Sequence, residues 1–77
     1  MAIGFVLIST VPAKEHDVFS ALSNVDEIVE IHPLFGEYDI IAKIEAEDFN
    51  QLGQIVIDKI RTVNGVIDTK TLTGIRF

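Results

Sequence analysis

The stretch Ala2 to Val11 is apolar on both of its alternating faces, and this limits what the chain can become. Ile3, Phe5, Leu7 and Ser9 fall on one side of a strand; Val6, Ile8 and Thr10 fall on the other. A strand of this kind must be buried on both sides. One side can lie under helices of the same chain. The other needs a second covering layer, and 77 residues leave little with which to build one. No cysteine is present to staple the fold, while 48% of the residues are apolar. Self-association is therefore the expected source of the missing layer. The pattern puts Val6, Ile8 and Thr10 on the face that a second copy would cover.

Beyond Pro12, Val18, Phe19 and Leu22 mark one stripe of a short helix that ends near Asn24. Asp26 to Pro33 reads as a second strand. Pro33-Leu34-Phe35-Gly36-Glu37 reads as a turn, and Tyr38 to Glu45 as a third strand. A link this short makes the two strands an antiparallel hairpin. In the third strand Tyr38, Ile40, Ala42 and Ile44 share one face. Asp48 and Gln51 form a capping-box pair at the start of a second helix. Phe49, Leu52, Val56 and Ile60 give that helix its apolar face, and Asn64-Gly65 stops it. Val66 to Phe77 reads as the last strand. The order β-α-β-β-α-β predicts an α+β, ferredoxin-like fold: a four-stranded antiparallel sheet with two helices on one face, dimerising through the other. The expectation is one domain over residues 1–77.

Charge and residue inventory remove several functions. Twelve acidic against six basic residues give a net charge of −6, which argues against direct nucleic-acid binding and against an anionic membrane surface. Without Cys-x-x-Cys there is no soft-metal carrier, and no glycine-rich phosphate loop occurs. His16 reads as a solvated helix residue. His32 stands at a strand end with no nucleophile near it in sequence, and Asp26, Glu27 and Glu30 read as a solvated face. The inventory supports no catalytic residue, no metal and no cofactor, and a cytoplasmic location is the default expectation.

Gly36-Glu37-Tyr38-Asp39 resembles the Gly-x-Tyr-Asp signature of the Lrp/AsnC effector-binding domain, also called the RAM domain. Asn64-Gly65-Val66-Ile67-Asp68-Thr69-Lys70-Thr71 resembles the family's entry into its last strand, and the resemblance runs from Ala2 to Phe77. Family regulators usually carry a helix-turn-helix domain ahead of this one, so the chain looks like a stand-alone version. Phe35 stands where the family often has Thr.

The resemblance implies a ligand site at Gly36, Tyr38, Asp39, Thr69 and Thr71. Gly36 serves equally as a turn residue, and Tyr38 equally as core filler with its hydroxyl at the edge. Asp39 is either a solvated strand-end carboxylate or the partner of a ligand ammonium. Thr69 and Thr71 share one face of the last strand and suit it by β-propensity alone; as a pair of hydroxyls they also fit a ligand carboxylate. Family pockets lie where dimers meet, so these residues are expected to come from different subunits. The implied partners are an amino-acid effector, further copies of the chain and full-length Lrp/AsnC-type regulators. The rival readings are a structural oligomer without ligand and a small dimeric α+β-barrel enzyme.

Overall fold

The computed structural model describes residues 1–74; the last three residues of the expected final strand lie outside it. Strands β1 (Ala2–Thr10), β2 (Ile28–Pro33), β3 (Ile40–Ala46) and β4 (Val66–Thr73) form one antiparallel sheet in the order β2-β3-β1-β4. Helix α1 (Glu15–Leu22) links β1 to β2. Helix α2 (Phe49–Ile55) follows β3 and runs into a π-helical turn, Val56–Ile60. This is the ferredoxin-like arrangement.

The core lies between the helices and one sheet face. Val6 and Ile8 of β1 meet Ile40, Ala42 and Ile44 of β3, beneath Val18 and Leu22 of α1 and Leu52, Ile55, Val56 and Ile60 of the second helix. Thr10 is buried with them. The expected face assignment of β1 is therefore reversed. Val6, Ile8 and Thr10 point under the helices, while Ile3, Phe5, Leu7 and Ser9 stand on the open face. The cause is register. Phe5 lies opposite Lys43 and Ile3 opposite Glu45, so their side of β3 is the polar one, and the helices cover the other.

Asp48 caps α2 as expected: its carboxylate accepts the Gln51 N–H at 2.8 Å. In return Gln51 Oε1 accepts the N–H of Glu47, one residue before the cap. Phe49 is an exception to the expected apolar face, standing 59% exposed. In the π-helical turn the Arg61 N–H reaches the Val56 carbonyl, five residues back. The wider turn keeps Ile60 fully buried.

α1 begins three residues later than Pro12 suggests. Val11 to Lys14 forms a turn closed by a 2.9 Å bond from the Lys14 N–H, with Ala13 at φ 73°. β3 begins at Ile40 rather than Tyr38, and β2 at Ile28 rather than Asp26. A bulge separates Ser9 from Thr10: Ser9 faces Asp68 and Thr10 faces Val66, which leaves Ile67 as the extra residue.

Gly65 ties the end of β1 to α1. Its φ is +103°, and a Cβ there would sit 2.9 Å from Val18 Cγ2. Its carbonyl accepts the Val11 N–H at 2.8 Å. Gly65→Ala combines a disfavoured backbone angle with a clash against a fully buried side chain. It is expected to cost about 1–3 kcal/mol, read as a lower thermal midpoint with unchanged spectra of the folded state.

Candidate functional site

Asp39 sits where the β1–β3 ladder ends. Its N–H donates to the Ile8 carbonyl at 2.9 Å, and its own carbonyl accepts the Leu34 N–H at 2.8 Å, closing the base of the β2–β3 loop. Its side chain caps the neighbouring strand. Oδ2 accepts the Thr10 N–H at 2.8 Å and faces the Thr10 hydroxyl at 3.3 Å. The Thr10 amide is part of the bulged end of β1, so the carboxylate satisfies a buried donor that the bulge exposes. Oδ1 makes no hydrogen bond among the described residues.

The carboxylate also borders a groove of about 390 Å³ between α1 and the β2–β3 end. Phe19, Pro33 and Ile40 give it an apolar floor, and Glu15, His16 and Asp39 stand at its polar edge. Such a groove, with an apolar floor and carboxylates at the rim, suits a small molecule bearing a cation next to an apolar group. Glu15, His16 and Phe19 were not legible as site residues. They lie about twenty or more positions from Asp39, and only the β1-α1-β2 crossover brings them to it.

Gly36 lies in the adjoining loop with φ +136°, and a Cβ added there would meet nothing within 4 Å. The conformation favours glycine; the open space leaves the backbone accessible. Tyr38 is half-buried beside it, and Phe35 is fully exposed at the loop tip.

Thr69 and Thr71 do not join this cluster within one chain. Thr69 lies opposite Ile8 and Thr71 opposite Val6, so both stand on the helix side of β4. Between them and β3 runs β1, a separation of roughly 9–10 Å at two strand spacings. Neither threonine lines the groove beside Asp39.

Glu27 differs from the solvated residue its sequence context suggests. Oε2 accepts from Lys59 Nζ at 2.7 Å, while Oε1 is shielded without a partner among the described residues. The Lys59 ammonium holds the Glu27 carboxyl below its ordinary value of 4.5, helped by a bond from its own backbone N–H and opposed by partial burial. A lowered carboxyl adds stability above its ordinary value and loses it as pH falls through the folded one. The thermal midpoint is therefore expected to fall below about pH 4.5, and Glu27→Gln to show a shallower fall over the same window.

The remaining chemistry is sparse. Among the described residues no group of three or more His, Cys, Asp or Glu is placed to hold a metal ion. No helix of the described residues is long and apolar enough to cross a membrane.

The two-layer ferredoxin-like sandwich serves many unrelated functions, so the fold alone does not assign one. The family described as the Lrp/AsnC ligand binding domain matches residues 3–76, and the chain belongs to it. A curated relative, an uncharacterized HTH-type transcriptional regulator of Pyrococcus horikoshii, is 32% identical over 73 residues. The match takes in 91% of this chain and 49% of the relative, so the chain spans about half the length of that regulator. The crystal structure of FFRP-DM1 superposes with a TM-score of 0.92 at 33% identity, covering 97% of this chain and 100% of that one. A homocitrate synthase of Sulfurisphaera tokodaii is 48% identical over 52 residues, which are 68% of this chain and 10% of the enzyme.

Proposed function

We propose that this chain is a non-catalytic sensor module that binds an amino acid at the Asp39 groove and works as an oligomer. The observation that carries the reading is the division of labour within the Asp39 carboxylate. One oxygen is anchored to the Thr10 amide and the other is left for a ligand. An anchored carboxylate is held in place without ligand, so an ammonium meets a prepared partner. Phe19, Pro33 and Ile40 then receive an apolar side chain.

The carboxylate of such a ligand needs neutral donors, and Thr69 and Thr71 of another copy are the proposed ones. Both threonines stand on the helix side of β4, away from the open sheet face, so they would reach the groove only from a copy outside a sheet-face pair, which would couple binding to assembly beyond that pair. Assembly uses the open sheet face, where Ile3, Phe5, Leu7, Ile41 and Leu72 form an apolar centre. Glu30 there bridges His32 and Lys43, each at 3.5 Å. Co-assembly with full-length regulators of the family is the proposed route to transcription. The stretch shared with homocitrate synthase favours a second use, as a module that senses a metabolite for an enzyme.

Titration calorimetry of the protein against each standard amino acid tests the proposal. One or a few amino acids are expected to give saturable heat that weakens in Asp39→Asn. Silence across the whole set would leave an oligomer without an amino-acid ligand and sink the sensor reading.

A further inference from the structure

The loop between β2 and β3 is pinned at its base and free at its tip. At the base Pro33 pairs with Ile40, and the Leu34 N–H donates to the Asp39 carbonyl at 2.8 Å. Asp39 is itself tied to Ile8 and Thr10. Beyond that pin, Phe35, Gly36, Glu37 and Tyr38 make no backbone hydrogen bond among the described residues. The tip can therefore move while the base holds Asp39 still. Gly36, at φ +136° with open space around it, can change its backbone angles without a side chain in the way.

Phe35 stands at this tip, fully exposed, beside a half-exposed Leu34. Turn residues are ordinarily small or polar because they must satisfy backbone geometry and hydrogen bonds, and a phenyl ring in water helps with neither. An exposed apolar residue alone says little. This one adjoins an apolar groove that has no cover. Pro33 and Asp39, which flank the loop, both line the groove, whereas no residue of the loop tip does. Phe35 lies two residues from Pro33, at most about 7 Å along the chain.

The groove is thus complete on one side only. A ligand group resting on Phe19, Pro33 and Ile40 would bury its inner surface and leave its outer surface in water. The apolar group nearest in sequence to that outer side is the Phe35 ring.

We propose that Phe35 is a specificity-determining residue of the Asp39 groove: the loop tip turns about Gly36, and the phenyl ring packs over the outer side of the ligand's apolar group, opposite Phe19. The proposal rests on the ligand reading of the groove. Closure is favoured only as far as the ligand binds the closed form better than the open one. A group thick enough to touch both rings buries apolar surface on two sides and draws the loop down. Glycine and alanine reach the floor at most and gain nothing from closure. The two contacts therefore divide recognition. Asp39, below the pin, meets the ammonium that every amino acid carries, and Phe35, beyond it, reads the side chain.

The chain contains no tryptophan, so Phe35→Trp places a single reporter at the tip. Its emission is followed while the protein is titrated with each standard amino acid, with calorimetry on the same samples. Amino acids with an apolar group larger than a methyl are expected to give heat and, in step with it, a shift of emission to shorter wavelength as the indole leaves water. In Phe35→Ala, affinity for those amino acids is expected to fall about tenfold, the burial of one side of the ligand and of the ring less the entropy of fixing the loop. Affinity for alanine is expected to stay as it is, so the preference collapses, and the thermal midpoint is kept because the ring is exposed. Saturable heat with constant tryptophan emission, and wild-type affinity in Phe35→Ala, overturns the role of Phe35 and leaves the sensor reading standing. Heat from small or polar amino acids alone overturns it as well. Short-wavelength emission without ligand that is lost on dilution would show the ring covered by another copy, which also overturns it. Silence of every amino acid in calorimetry removes the sensor reading and this proposal together.

Discussion

Asp39→Asn is expected to weaken amino-acid binding on the order of tenfold to a hundredfold while leaving the fold intact. The substitution removes the charge that would hold an ammonium, a bond contributing roughly 1.5–3 kcal/mol. The Asn side chain keeps an oxygen for the Thr10 N–H, which Asp39 now accepts at 2.8 Å. Asp39→Ala separates the two roles of the residue. It deletes the ligand contact and also strands the Thr10 amide, in a residue only 6% exposed. An unsatisfied buried donor costs about 1–3 kcal/mol, so Asp39→Ala should lower the thermal midpoint where Asp39→Asn does not. Calorimetry and thermal melts on the pair decide the matter. Wild-type affinity in a folded Asp39→Asn protein would show that the carboxylate only caps β1.

Phe5→Asp is the other change with a large expected effect, this time on assembly. Phe5 stands at the middle of the open sheet face, between Lys43 on β3 and Leu72 on β4. It is 38% exposed in the single chain, so its substitution spares the core between sheet and helices. Pairing through this face would bury the new carboxylate among Ile3, Leu7, Ile41 and Leu72; Lys43 opposite it is already shared with Glu30, so the charge is poorly compensated and costs about 3–5 kcal/mol. The dissociation constant of the sheet-face contact should rise by about two to four orders of magnitude. Sedimentation across a dilution series, with circular dichroism as the control for folding, measures it. An unchanged assembly in Phe5→Asp would show that the open face is not where copies meet.

The β-α-β-β-α-β order was legible because each element announces its own period. Ile40, Ala42 and Ile44 alternate with Ile41, Lys43 and Glu45, and every one of the first three is buried. Asp48 and Gln51 mark the start of α2 by hydrogen-bond chemistry that is local in sequence. β1 was harder. Both of its faces are apolar, so alternation shows two sets of residues without saying which lies under the helices. The discriminating signal sits on β3, whose outer face carries Lys43 and Glu45, but it applies to β1 only through the register of the pair. Phe49 misled for a related reason. A spacing of three to Leu52 fits the inner face and also the flank beside it.

The site divides in the same way. Asp39 was recognisable from the run Gly36-Glu37-Tyr38-Asp39. Its bond to Thr10 was not, because it joins positions 29 apart and arises from a bulge that alternation does not register. His16 looked like a solvated helix residue, and it is exposed; its place at the groove beside Glu15 is a product of the crossover. Thr69 and Thr71 fell on one face of β4 as expected, and the sheet order then set β1 between them and Asp39.

The bulge at Ile67 bears on how large such an assembly can grow. β4 is an outer strand, and a straight outer strand is the template on which fibrils extend, one chain adding to the next without limit. Here the extra residue breaks the spacing of the strand and sharpens its twist, while Asp68 and Lys70 set charges beside it. An incoming strand would lose its register after a few residues. The sheet-face pairing proposed for the chain, if two-fold, uses the same patch on both copies and closes on itself, and with this edge blunted it gives a particle of finite size instead of open-ended polymer growth.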